Sequence, residues 1–295
     1  MIPQHLRPIV KNIAWWMVPA GFQKLIRQSW EAIRPFDKEM KAVLSANQTF
    51  KGKHNGQRCF ILGTGPSINH QNLEPLKEEI CISLNSFYVH KDYSTIAPRY
   101  HVVAGLALHP SISSHLGFQW FREMETKIVG TIFLNYLDRR YVLKNTLFKS
   151  KEIRYLLFNL HWEEVMKKGI DAARKLYHSQ SVSVMAIQLA LYMGFKEIYL
   201  LGLDHDWLLR SKEKLPTHFY QPQESLLERN GLSDWDNLDY EIEFWTYWNL
   251  WRQYKMIKKY AESLDICIRN STTGGLLDVF PRIELGSILN GNPKI

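Results

Sequence analysis

Short apolar runs recur along the chain between longer amphipathic stretches: Cys59 to Leu62, Ile80 to Leu84, Tyr100 to Ala104, Ile128 to Leu134, Tyr155 to Phe158, Ile198 to Leu201 and Ile266 to Ile268. Runs this short, bounded by turn residues, read as buried strands, and helical patterns lie between several of them. The alternation predicts an α/β architecture with a mostly parallel sheet flanked by helices. The clearest helix follows Ser181, runs through Val182-Ser-Val-Met-Ala-Ile-Gln-Leu-Ala-Leu-Tyr-Met193 and stops at Gly194. Hydroxyl caps open it, a glycine closes it, and its nearly all-round apolar surface predicts burial against the sheet. A second long helix is expected from about Leu238 to Leu264, with Trp245, Trp248 and Trp251 on one side and Lys255, Lys258 and Lys259 beyond. Its aromatics read as core or as an interface.

Ahead of these elements, residues 1–56 form a helical extension and its connector. Ile9, Ile13, Trp15, Trp16, Met17, Phe22, Leu25, Ile26 and Trp30 interleave with Lys11, Lys24 and Arg27, and Pro19-Ala-Gly21 interrupts the pattern. Residues 46–56 are polar and glycine-punctuated, so the main domain is expected to span 57–295.

Charge sharpens this division. Of the formal net charge of +8, residues 1–53 carry +6, from nine Lys/Arg against three acids. A nucleic-acid enzyme would spread basic charge over its working surface, so no nucleic-acid partner is expected. A basic, Trp-bearing leader suits an interfacial helix pair on an anionic membrane through residues 1–45; packing on the body or on a partner chain, including a homo-oligomer, is the alternative. No run of about 18 apolar residues occurs, so no membrane-spanning helix is expected. The start, Met1-Ile-Pro-Gln-His-Leu-Arg7, lacks the order of a secretory signal, which predicts a cytoplasmic protein peripheral to the inner face of the membrane. Cys59, Cys81 and Cys267 lie in apolar runs without Cys-x-x-Cys spacing and read as free thiols.

The densest chemical signal is Arg58-Cys-Phe-Ile-Leu-Gly-Thr-Gly-Pro-Ser-Ile68, a strand entering a Gly-x-Gly-Pro-Ser turn and then a helix. Gly63 and Gly65 would let the backbone approach a ligand, and Pro66 suits a first helical turn whose free N–H groups can hold a phosphate. No Gly-Lys-Ser/Thr follows, so the turn is not a P-loop, and Ile68 stands in place of the third glycine of the dinucleotide fingerprint. Ligands of open α/β sheets bind beyond the carboxyl ends of the strands. Collected there are Gly63, Thr64, Gly65, Pro66 and Ser67; Asn85 after the second run; His109 after the third; Ser181 and Ser183 at the helix start; and Asp204-His205-Asp206.

Gly63-Thr-Gly-Pro-Ser67, the Asn85 strand end, Gly194-Phe-Lys-Glu-Ile-Tyr-Leu-Leu-Gly-Leu-Asp204 and Cys267-Ile-Arg-Asn-Ser-Thr-Thr-Gly-Gly-Leu-Leu277 resemble bacterial sialyltransferases of glycosyltransferase family 42. They also resemble the broader MptE-like family, named for 6-hydroxymethylpterin diphosphokinase. The resemblance runs in order from residue 57 to about 280 and leaves out the leader. It implies a Rossmann-like fold that transfers a nonulosonic-type acidic sugar from a CMP-activated donor to a surface-glycan or lipid-linked acceptor, with inversion and no obligatory metal. By the same resemblance, Gly63, Gly65, Ser67, Asn85 and Ser181 hold the donor, and a histidine from a flexible segment deprotonates the acceptor. Three positions depart from the sialyltransferase pattern. Thr64 replaces an Asn between the glycines, His109 stands where an Asn precedes Pro-Ser, and Asp206 lies where a phosphate-facing tyrosine is placed.

The candidate base is His218 in Pro216-Thr-His-Phe-Tyr220, after a charged, lid-like segment at 210–215, with His205 and His109 as alternatives. Arg210, Lys212 and Lys214 of that segment, or Tyr220, would stabilise the departing phosphate. Asp204 and Asp206 also match an Asp-x-Asp pair that could hold Mg²⁺ or Mn²⁺. A bound metal would favour the alternative activity, transfer of pyrophosphate from ATP to a hydroxymethyl pterin. A non-catalytic scaffold built on the Trp-rich helix is the third reading.

Overall fold

The computed structural model describes residues 38–106, 114–160, 168–213, 215–220 and 240–291. The leader expected over 1–37 therefore lies outside the described residues. So does His109.

Eight strands form one parallel sheet: β1 Arg58–Leu62, β2 Cys81–Leu84, β3 Tyr100–Val102, β4 Thr131–Asn135, β5 Ile153–Leu160, β6 Lys175–Tyr177, β7 Glu197–Leu201 and β8 Cys267–Asn270. Their spatial order is β6-β5-β4-β3-β2-β1-β7-β8. The longer helices are α1 Lys38–Ser45, α2 Ser114–Lys127, α3 Val182–Met193, α4 Trp207–Glu213 and α5 Tyr240–Glu262. This is the parallel α/β arrangement that the apolar runs predict, and it is Rossmann-like, as the resemblance implies. None of the described helices is long and apolar enough to cross a membrane.

Both faces of the central strands are buried, which is why their sequences are continuously apolar. Cys59, Ile61, Ile82, Leu84, Tyr100 and Val102 join one core with the buried residues of α3 and with Leu250, Tyr254, Ile257 and Ala261 of α5. The alternating residues Phe60, Leu62, Cys81, Ser83 and His101 are equally buried. Ser181 caps α3 and Gly194 ends it in the left-handed region at φ +86°.

Three expectations change. β4 begins at Thr131 rather than Ile128, because Gly130 turns the chain at φ +78° so close to Arg99 that a Cβ there would fall 2.4 Å from the Arg99 carbonyl oxygen. β6 is a three-residue edge strand that the apolar pattern does not mark. The larger compact unit starts at Leu44, ahead of the expected start at 57. Residues 46–56 pack into it: the Asn47 amide donates to the carbonyls of Tyr155 and Ala172, each at 2.8 Å, and Phe50 and His54 are buried against Tyr100.

Candidate functional site

The chain steps from β1 to β2 on one side and, after β7, to β8 on the other, so the sheet order reverses between β1 and β7. The crevice beyond the carboxyl ends at such a switch point is where open α/β sheets bind ligands. Gly63-Thr-Gly-Pro-Ser67 leaves β1 there and Asp204-His-Asp206 leaves β7 there.

The two segments are fastened to each other. Gly63 N–H donates to Leu201 O and Gly65 N–H to Gly202 O, both at 2.8 Å. A Cβ on Gly63 would lie 2.4 Å from Gly202 O, and one on Gly65 would lie 2.4 Å from Asp204 Oδ1. The neighbouring strand end thus requires both glycines. The helix expected after the turn is a short 3-10 helix, Pro66–His70, with Pro66 in its first turn. Ser67 N–H donates to Asp204 Oδ2 at 2.9 Å, and the Ser67 hydroxyl donates to Oδ1. An internal carboxylate therefore takes the donors that the sequence assigns to a phosphate. Within 63–67, Thr64 alone among residues with an N–H leaves it without a hydrogen bond among the described residues.

Asp204 is buried, and burial raises its pKa against the opposing pull of the Ser67 hydrogen bonds. Asp206 Oδ1 accepts from Arg210 Nε at 2.8 Å, and Arg210 Nη2 lies 4.0 Å from Asp204 Oδ2. The Asp-x-Asp pair thus converges on a guanidinium, and the Ser67 contacts occupy both Asp204 oxygens. Among the described residues no cluster of three or more metal-ligating side chains occurs.

His218 and Tyr220 are brought to the same turn. Phe219 N–H donates to Thr64 O at 2.9 Å, the Asn69 amide donates to Phe219 O, and the Phe219 ring packs against Phe87 and His90. Within this docked segment His218 Nδ1 lies 3.0 Å from Thr64 Oγ1, and its ring stacks on Tyr220. Burial pushes the His218 pKa down to about 4, so the imidazole is neutral at pH 7. The lid-like segment begins as helix, with Arg210 inside α4. Asn85 follows β2 in the left-handed region, at φ +42°, and its Oδ1 accepts from Ala104 N–H at 3.0 Å. Its NH₂ has no hydrogen bond among the described residues.

A second network starts at the α3 cap. Ser181 Oγ lies 2.8 Å from Ser183 Oγ, which pairs with the Tyr254 hydroxyl, which in turn lies 2.7 Å from His205 Nε2. His205 is held at φ +49° among Trp207, Trp251 and Tyr254, and burial lowers its pKa to about 3. α5 also clasps the approach to α3, since Gln253 Oε1 accepts from Gln180 N–H and the Asn249 amide donates to Gln180 Oε1. Sequence reasoning missed Tyr254. Its only signal was a hydroxyl-tipped residue in the apolar stripe Leu250, Tyr254, Ile257, Ala261.

The two networks adjoin through the consecutive residues 204–206. A cleft of about 630 Å³ opens elsewhere, between Gln71–Pro75 and the segment following β8, and none of the sequence-predicted site residues lines it.

No protein-family model matches the chain, and no curated protein matches it in sequence. Among solved structures it aligns with the Maf glycosyltransferase from Magnetospirillum magneticum AMB-1 at 16% identity and a TM-score of 0.44, over 82% of this chain and 38% of that one. It also aligns with the sialyltransferase CstII from Campylobacter jejuni, solved with the substrate analogue CMP-3FNeuAc, at 14% identity and a TM-score of 0.41, over 77% of this chain and 85% of that one. The chain thus spans well under half the length of the Maf protein.

Proposed function

We propose that the chain is a glycosyltransferase that moves an acidic, nonulosonic-type sugar from a CMP-activated donor to a hydroxyl of a surface-glycan or lipid-linked acceptor. The observation that carries this reading is the contact between His218 Nδ1 and Thr64 Oγ1 at the switch point of the sheet. It puts a neutral imidazole on the rim where the sequence resemblance places the donor.

The phosphate role passes from the Gly63–Ser67 turn, whose donors are engaged, to Thr64 and the Ser181 end of α3. A twelve-residue helix presents partial positive charge there. The Asn85 NH₂ is placed for a hydroxyl of the ribose or sugar. In the tautomer whose Nδ1–H donates to Thr64 Oγ1, the His218 lone pair is on Nε2. As the acceptor oxygen bonds to the anomeric carbon, the bond from that carbon to the phosphate oxygen breaks, CMP departs, and the acceptor proton passes to Nε2. Arg210 supplies positive charge near the departing phosphate without a metal. The diphosphokinase alternative calls for Mg²⁺, and the engagement of both Asp204 oxygens by Ser67 disfavours it.

The test is His218→Ala. Release of CMP from a CMP-sugar should fall by about 10²–10⁴-fold while the dissociation constant for CMP stays near wild type, because a general base acts in the transfer step. Normal turnover in this variant would move the base to His205 or His109.

A further inference from the structure

The outward face of α5 remains unexplained by the site. Five of the twelve large apolar side chains exposed among the described residues fall between Tyr240 and Trp248, and Phe244, Trp245 and Trp248 are 61%, 56% and 56% exposed. A surface helix ordinarily turns charged residues outward and aromatics inward. In α5 the inward stripe is already filled by Leu250, Tyr254, Ile257 and Ala261. Glu241, Trp245, Trp248, Arg252, Lys255 and Lys259 follow one another at helical spacing along the opposite side, with Phe244 beside them. The outward stripe is therefore aromatic in its first half and basic in its second. The Arg252 guanidinium sits 4.6 Å over the Trp248 ring and joins the two halves.

We infer that this face of α5 docks on an anionic phospholipid surface, with Phe244, Trp245 and Trp248 entering the headgroup and acyl boundary and Arg252, Lys255 and Lys259 meeting the phosphates. Tryptophan and phenylalanine beside lysine and arginine is the chemistry of an interfacial helix, and basic residues near such a surface add electrostatic attraction to anionic lipid. Exposed aromatic groups need an apolar partner, which a purely polyanionic ligand lacks. Arg252, Lys255 and Lys259 are all exposed beside the aromatic half, so charge complementarity selects an anionic lipid surface. On a different side from this face, α5 adjoins α4, where Trp207 stacks on Tyr247 and Leu208 N–H donates to the Tyr247 hydroxyl. The inference rests on this face and not on the transferase reading.

Flotation of the full chain with phosphatidylcholine vesicles, with and without phosphatidylglycerol, tests it. Wild type should float with the anionic vesicles and be released by high salt. The variant Phe244→Ser/Trp245→Ser/Trp248→Ser should keep the wild-type far-UV circular dichroism and partition at least about tenfold less. Arg252→Gln/Lys255→Gln/Lys259→Gln should lose the preference for phosphatidylglycerol. Because every protein carries residues 1–37, differences among them report on α5. Equal flotation of the aromatic variant, or no flotation of wild type, overturns the inference. So does an aromatic variant that floats normally but turns a wild-type dimer into a monomer by light scattering, which would assign the face to self-association.

Discussion

The Tyr254 hydroxyl stands 2.7 Å from His205 Nε2 and also pairs with Ser183 Oγ, so one buried residue of α5 couples the loop after β7 to the first turn of α3. Replacing Tyr254 with Phe keeps the ring and removes the link, leaving His205 Nε2 without this partner and Ser183 Oγ with Ser181 alone. A polar group left without its partner in a buried site costs about 1–3 kcal/mol. Urea unfolding should report a loss in that range, and an unchanged midpoint would mean that the chain of contacts contributes nothing.

Gly65→Ala should destabilise by about 1–3 kcal/mol, because the new methyl would fall on the Asp204 carboxylate. Adding Asp204→Ala should make the double variant less damaged than the sum of the two single losses, since removal of the carboxylate relieves the nearer clash and leaves the one with Gly202 O at 2.7 Å. Strict additivity in thermal melts would show that the two residues do not meet.

Acid should weaken the fold well before carboxylates titrate. Burial lowers the pKa of His101 and His205 to about 3 and of His218 to about 4, from 6.5. Between these values and 6.5 the unfolded chain binds protons that the native one refuses, so stability falls as pH falls through that window. Asp204, raised by burial, acts with the opposite sign but is one group against three. His101 is fully buried, and its share has a slope of about 1.4 kcal/mol per pH unit. Melts of His101→Gln between pH 7 and 4.5 should show a visibly shallower decline than wild type, and parallel curves would contradict this assignment.

The pH dependence of turnover should separate free from loaded protein. In the free protein His218 protonates near pH 4, so the acid limb of kcat/KM should lie well below 6.5. An anionic donor beside the imidazole stabilises its charged form, so the acid limb of kcat should lie higher. Coincident limbs near 6.5 would argue against a desolvated His218 as base.

What the sequence discloses here is the local part. The strands and α3 are visible because burial on both faces, a hydroxyl cap and a terminal glycine are written in neighbouring residues. The Gly63 and Gly65 pattern correctly marks a close approach. Its partner is Asp204, far along the chain, and nothing near the glycines identifies a carboxylate instead of a phosphate. Tyr254 is hidden for the same reason, as one aromatic among many in α5 until the fold brings Ser183 and His205 to it. Asn47 and Phe50 sit in a stretch that composition assigns to a connector, and specific hydrogen bonds to Tyr155 and Ala172 make it core.

That packing predicts the outcome of truncation. A chain starting at residue 38 should melt cooperatively, whereas one starting at 57 loses Asn47, Phe50 and His54 and should be unfolded or destabilised by several kcal/mol. Circular dichroism melts distinguish the two, and equal stability would restore the domain start to 57.

The most direct test of the proposed activity is nucleotide-dependent thermal stabilisation of the full chain by CMP, CDP, UDP, GDP and ATP, each with and without Mg²⁺. Occupation of a native site at about 100 times its dissociation constant adds about 2.7 kcal/mol, a readily measured shift. CMP should raise the melting temperature to the same extent with and without Mg²⁺, and Asn85→Ala should diminish the effect. Stabilisation by ATP only with Mg²⁺, and none by cytidine nucleotides, would contradict the account.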